Sequence, residues 1–299
     1  ASDVYKRQLH TVSGEILEEH DLLFAEGKIV TIDEQIQPSP ETDIYDIYGK
    51  HVVPGFIAGY TRIGLTEISA VKQTNDHSEI GEFNPNVRAN VSYNPDSDLI
   101  PVTRSNGVLI VNSAPSSGRI SGQSSVMSLD GWTWEEATMK HPAALNLNWP
   151  NMKFDFRKDT KKNEKAQREK YDKSLREINL LVRNVRAYDL RRSAKERKAE
   201  HKQETDLRLE SMIPFIIYKE PIHVKANNIR QIEAAVNWAN EHDLNIVIVG
   251  GHDAWINPEL LVKNNVPVIL LGVQITPRRR FEPIPVSYTH LTLPTNREV

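Results

Sequence analysis

The apolar and polar positions divide the chain into a β-rich opening, a long polar middle and an alternation of apolar runs with helical stripes. Asp21-Leu22-Leu23-Phe24-Ala25 and Lys28-Ile29-Val30-Thr31-Ile32 flank Glu26-Gly27. Two strand-forming runs around a glycine turn predict a hairpin. Residues Asp43 to Ile47 and His51-Val52-Val53, around Tyr48-Gly49-Lys50, predict a second one, with Gln37-Pro38-Ser39-Pro40 as the loop between them. A sheet of about 45 residues has too little core to stand alone, so it should pair with sequence elsewhere. After Pro54-Gly55 come short apolar runs of the buried-strand kind, at Phe56-Ile57-Ala58, 108–111, 125–128, 221–224, 245–249 and 266–271. Between the last three the period becomes helical, with Ile229, Ile232, Ala235, Val236 and Ala239 on one stripe. Asn257 then serves as an N-cap before Pro258 at a first helical position. Strands alternating with helices predict an α/β fold with a parallel sheet, open or closed into a barrel. The polar stretch from Thr66 to Pro101 is too long for a spacer and reads as a functional loop.

Residues 157–210 differ, holding 18 Lys and Arg against 11 Asp and Glu. Leu175, Ile178, Val182, Val185 and Tyr188 recur there at helical spacing, which predicts a charged helix packed by one face. A nucleic-acid or anionic-membrane arm is the alternative. It is disfavoured because both signs interleave and no aromatic residues alternate with the basic ones as a stacking platform requires.

The remaining composition narrows the function classes. A length of 299 residues suits one large domain, or one with a small companion. With 39% hydrophobic and 26% charged residues, global disorder is excluded. The absence of cysteine excludes a disulfide scaffold, a thiolate zinc site and a cysteine nucleophile, and leaves the compartment open between bacterial cytoplasm and periplasm. A net charge of −3 gives no support to nucleic-acid binding, and no apolar run approaches the roughly 20 residues of a membrane span. The expected partner is a small-molecule substrate, with neither nucleic acid nor membrane, and homo-oligomerisation is left open.

The two ends are related at the level of DNA. Ala1 to Gln8 back-translates to GCGTCAGATGTGTATAAGAGACAG, whose reverse complement, read from its third base, encodes Val286-Ser287-Tyr288-Thr289-His290-Leu291-Thr292. Inverted copies at opposite ends have no protein-level explanation. They resemble the transposon end of a sequencing-library adapter carried into an assembled metagenomic reading frame. Residues 1–8 and 286–299 are therefore expected to be adapter-derived, and His290 is not considered as a ligand.

At Gly49-Lys50-His51-Val52-Val53-Pro54-Gly55-Phe56-Ile57 the sequence resembles the amidohydrolase superfamily, in its imidazolonepropionase-related branch. There a Gly-Lys-x-Val-x-Pro-Gly-Phe-Ile-Asp junction joins a small β-sandwich to strand 1 of a TIM-type barrel. The resemblance continues through Ile63-Gly64-Leu65-Thr66-Glu67-Ile68, Asn94-Pro95-Asp96-Ser97, the run from Ile100 to Gly107, Ser121-Gly122-Gln123-Ser124, the run from Leu129 to Glu135, and Ile248 to Trp255. It implies an incomplete TIM-type (β/α) barrel over 54–285, including the charged region 157–210, preceded by half of a β-sandwich over 9–53. It also implies a site at the C-terminal ends of the strands. The implied activity is hydrolysis of a non-peptide C–N bond in a small, cyclic-amide-type substrate by a metal-bound hydroxide.

One departure bears on that activity. In the family, strand 1 ends in His-x-His, whose two imidazoles point to one side and ligate one metal ion. Here Tyr60 and Arg62 occupy those places, and Ala58 stands where an Asp is usual. A guanidinium cannot ligate a cation and repels one. His223 and His252 resemble the later barrel histidines and would hold one divalent, zinc-like ion with a third ligand from Lys225, Asp253 or the C-terminal part that the resemblance places beyond Pro285. Alternatively, they only hydrogen-bond across the barrel mouth. The family's last-strand Asp would lie beyond Pro285. The other histidines (10, 20, 51, 77, 141, 201 and 242) are expected to be exposed. Arg62, Arg104 and Gln123 are the candidate substrate-binding residues, Arg62 through bidentate contact with a carboxylate or phosphate. Ser116 to Gln123 is glycine-rich and would present N–H groups to an anion, or act as a plain loop. Two functions therefore stand side by side: an amidohydrolase-like enzyme, and a catalytically inactive, metal-free barrel (a pseudoenzyme) binding a small anion.

Overall fold

Twelve strands and six helices follow one another among the described residues of this computed structural model, which are 8–12, 14–152, 164–196 and 205–272. The adapter-like ends other than Gln8, and His201, lie outside them. The chain divides after Phe56 into two units.

The first unit holds β1 (Gln8–His10), β2 (Ile16–Glu18), β3 (Asp21–Ala25), β4 (Lys28–Asp33) and β5 (His51–Val52). β3 and β4 form the predicted antiparallel hairpin. Its central residues Glu26 and Gly27 both have positive φ, 50° and 72°, as in the primed turns whose twist matches the flanking strands. The second predicted hairpin does not form. Residues 43–47 make no strand, because the Tyr48 amide donates to the Asp46 carboxylate at 2.9 Å and the Lys50 amide to the Ile47 carbonyl at 3.0 Å. This Asx-type turn competes with a ladder. β5 pairs in parallel with β1 instead, and β2 pairs antiparallel on the other side of β1.

The second unit runs β6 (Phe56–Thr61), α1 (Leu99–Ser105), β7 (Val108–Ser113), β8 (Ile120–Ser128), α2 (Trp134–Ala137), β9 (Thr138–Asn148), α3 (Glu164–Glu196), α4 (Leu207–Ile216), β10 (Ile222–Ala226), α5 (Ile229–Glu241), β11 (Ile246–Gly250), α6 (Pro258–Lys263) and β12 (Val268–Leu270). The strands make one sheet in the order β12-β11-β10-β9-β8-β7-β6. β9 to β12 are parallel, but β7–β8 and β8–β9 are antiparallel, which corrects the expectation of a purely parallel sheet. The loop joining β7 to β8 carries no helix, and a short connection of that kind returns the chain antiparallel. β9 escaped the pattern because Pro142 sits inside it, and proline in a run argues against a strand. The two edges come together. A Cβ placed on Gly59 of β6 would lie 3.7 Å from the Ile269 side chain of β12, so the sheet is nearly closed and barrel-like.

Alternation along β10 sets the two faces of the sheet. Ile222, Val224 and Ala226 join a core with Ile178, Val182, Val185 and Tyr188 of α3, Phe215 of α4, and Ile232, Val236 and Trp238 of α5. The predicted apolar stripe of the charged helix is therefore its buried face, with Leu175 partly buried beside it. No described helix is long and apolar enough to cross a membrane. α5 begins with a reciprocal capping box between Asn228 and Gln231, and the Asn257 side chain accepts from the Leu260 amide at the start of α6. A smaller core of Tyr93, Ile100, Val111, Met127, Leu129 and Ala137 seats the long polar stretch against β7 and β8.

Candidate functional site

The face of β10 opposite the helical core carries His223 and Lys225, two residues apart. Tyr60, at the end of β6, brings its ring to 6.1 Å from the His223 ring. Since β6 and β10 are not neighbours in the sheet, these groups meet across its concave side. Arg62 follows directly after β6. Its charge acts on Tyr60, on Lys225 and on His77 of the polar stretch.

Burial dominates the proton affinities here. It pushes the Tyr60 phenol up, opposed by Arg62. It pulls the Lys225 ammonium down, and the Arg62 charge adds to that effect. Burial alone takes His223 down to about 4, so its imidazole is neutral at pH 7. His77 is lowered by burial and then by Arg62, with Asp76 opposing. The side chains of Tyr60, Arg62, His223 and Lys225 make no hydrogen bond or ion pair with any described residue, and His223 Nδ1 is fully buried without a partner.

The donors among the described residues do not fit a divalent metal ion. Among the described residues no three or more His, Cys, Asp or Glu side chains gather as a metal would need. Asp253, offered by the sequence as a third ligand, is fully buried and accepts from the Ile229 amide at 3.2 Å, at the N-terminus of α5. Lys225, the other candidate, lies in the field of Arg62. His252 sits just past β11, half-buried and engaged with neighbouring groups. Two cations at the mouth repel a third.

The remaining candidates lie elsewhere. Arg104, near the end of α1, donates to the Asp130 carboxylate at 2.8 Å and to the Leu129 carbonyl at 3.3 Å, so its guanidinium is already committed. Gln123 on β8 is buried and donates to the Ser211 carbonyl of α4 at 2.9 Å, tying sheet to helix. The glycine-rich stretch presents no anion nest at Ser116, Arg119, Ile120 or Gln123. Their amides donate to the carbonyls of His77, Glu82 and Val87.

Sequence reasoning missed two histidine settings. His77 Nδ1 lies 2.9 Å from the Thr66 hydroxyl, inside the field of Arg62. His141 on β9 takes the Arg88 Nε–H on its Nε2 at 3.2 Å, and its Nδ1 faces the Ser125 hydroxyl at 2.8 Å. Because Nε2 accepts, the neutral ring carries its proton on Nδ1 and donates to Ser125, which also accepts from the Asn90 amide. The pair therefore does not make Ser125 a nucleophile, since a base must accept the hydroxyl proton. No local pattern signals this contact, because Arg88 and His141 are far apart in sequence.

Burial and the Arg88 charge hold His141 down at about 4. The unfolded chain takes up this proton below about 6.5 and the folded one only near 4, so stability falls as pH drops through that window. With the ring half-exposed, the loss expected is about 1 kcal/mol after discounting for solvent screening. Urea midpoints measured from pH 7 to pH 4 test this. His141→Gln should reduce the decline by that amount, leaving the part due to the buried His223, and an unchanged profile would contradict it.

No protein-family model matches the chain, and none of the curated proteins compared with it does. A solved structure of an amidohydrolase from Thermotoga maritima MSB8 superposes with a TM-score of 0.78 at 23% sequence identity, over 92% of this chain and 72% of that one. This likeness shows the fold.

Proposed function

We propose that the chain forms the barrel of an amidohydrolase-type hydrolase acting on a non-peptide C–N bond of a small, cyclic-amide-type substrate. The observation that carries this reading is the superposition of 92% of the chain on an amidohydrolase. The motif run from Gly49-Lys50 to Trp255 supports the imidazolonepropionase-related branch, the TIM-type assignment of the barrel and the half-sandwich reading of residues 9–53. In hydrolysis, charge develops on the carbonyl oxygen as water adds, and Arg62 and Lys225 are the groups at the mouth able to stabilise it. Neutral His223 and the Tyr60 hydroxyl would orient the substrate beneath them. No step is assigned to a metal, because the described donors do not fit one.

A second reading, a catalytically inactive barrel that binds a small anion, is favoured by Arg62 and Lys225 having no carboxylate partner among the described residues. One experiment separates the two. Purified protein is incubated with hydantoin- and imidazolone-type rings, with and without chelator, and ring opening is followed alongside the metal content. Ring opening at least about 10⁶-fold above the uncatalysed rate is expected of the hydrolase. Its absence, combined with anion-induced thermal stabilisation that Arg62→Ala abolishes, would leave the second reading standing.

A further inference from the structure

We infer that the barrel mouth clamps a small oxyanion, a carboxylate or phosphate group, between the Arg62 guanidinium and the Lys225 ammonium, with the Tyr60 hydroxyl as a further donor. This gives the second reading its ligand class and donors, and it holds whether or not the barrel turns a substrate over. Arg62 and Lys225 each stand two residues beyond Tyr60 and His223, whose rings lie 6.1 Å apart although β6 and β10 are not sheet neighbours, so strand alternation puts both cations on the same concave side. Neither has a carboxylate or hydrogen-bond partner among the described residues. Other cations of the molecule do have such a partner, as Arg104 has in Asp130 and Arg192 in Asp189.

Two like charges held together by the backbone without a counter-ion raise the energy of the fold. An oxyanion between them removes that repulsion and gains charge-assisted hydrogen bonds, bidentate ones from the guanidinium. The residues two positions before Arg62 and Lys225 are already packed: the Tyr60 and His223 rings lie 6.1 Å apart at a 52° tilt, and His223 is nine-tenths buried with Nδ1 unpartnered among the described residues. The charge of the ligand, rather than that of a bound cation, then completes the site.

The test is calorimetric titration of the chelator-treated full chain with acetate and, separately, with inorganic phosphate. One anion per chain is expected, and the tighter of the two arms identifies the group. Arg62→Gln and Lys225→Gln should each weaken it about tenfold, and Tyr60→Phe about threefold. Arg104→Gln, whose partner is Asp130, should leave binding unchanged. Lys225→Arg keeps the charge and should restore most of the affinity, so a folding defect cannot imitate the loss. The inference is overturned if neither anion binds at millimolar concentration, if R62Q and K225Q bind as the parent does, or if binding appears only after one zinc ion per chain has been restored. Failure of ring opening in the preceding assay bears on the hydrolase reading alone and leaves these titrations intact.

Discussion

Phe215→Ala is expected to lower the unfolding free energy by about 3–5 kcal/mol, the range for deleting a fully buried aromatic ring. Phe215 is wholly inaccessible to solvent and belongs to the core that joins α3, α4, α5 and the helix-facing side of β9, β10 and β11. The loss combines the transfer energy of the ring with the cavity it leaves, because Met212, Ile213 and Ile216 on the same short helix are themselves buried and cannot collapse freely. In urea the midpoint should fall with little change in slope, since the surface exposed on unfolding stays nearly constant. Leu207→Ala, at the exposed start of the same helix, is the control and should shift stability by under about 0.5 kcal/mol. Equal effects at the two positions would mean that α4 is not docked as described.

Gly118→Ala is expected to cost about 3 kcal/mol, although it adds one methyl group. Gly118 has φ of +63°, and a Cβ there would lie 2.5 Å from the Gly81 carbonyl oxygen and 2.9 Å from that of Glu82. Both obstacles are backbone, so neither can swing aside as a side chain would. The Glu82 carbonyl accepts from the amides of both Arg119 and Ile120, and pushing it away loosens the entry to β8 together with the polar stretch laid over it. A thermal midpoint within a degree of the parent's would show that this stretch is looser than its hydrogen bonds imply. Anion binding at Arg62 would serve as the second readout, since the loosened stretch also carries His77.

Much of this architecture was legible because its information is local. The stripe of α5, the proline-started α6 and the turn between β3 and β4 each lie within one short window, and period plus cap chemistry identify them. The buried face of α3 was legible for the same reason. Strand direction was not, because nothing within Val108 to Ser113 or Ile120 to Ser128 records which neighbour a strand takes or which way that neighbour runs. β9 was hidden by Pro142, and the strand expected at residues 43–47 was lost to a single Asx contact of Asp46. At the site, Tyr60 and Arg62 stood out because they break a motif. The proximity of Lys225 and His77 to Arg62, and the engagement of Arg104 by Asp130, depend on how distant segments meet. Local periodicity carries no such information.

The approach of Gly59 to Ile269 has a consequence for how the protein is made. The strand that begins the barrel leaves the ribosome roughly 210 residues before the one that meets its free edge, which at cellular synthesis rates is roughly 10–40 s. During that interval β6 has β7 on one side and nothing on the other, with Phe56 and Ile57 exposed at its start. An open strand edge of this kind invites pairing with other chains. Closure also joins residues at high sequence separation, which slows folding. The nascent chain should therefore need holdase chaperones most while its middle third is being synthesised, and the demand should end when β12 emerges.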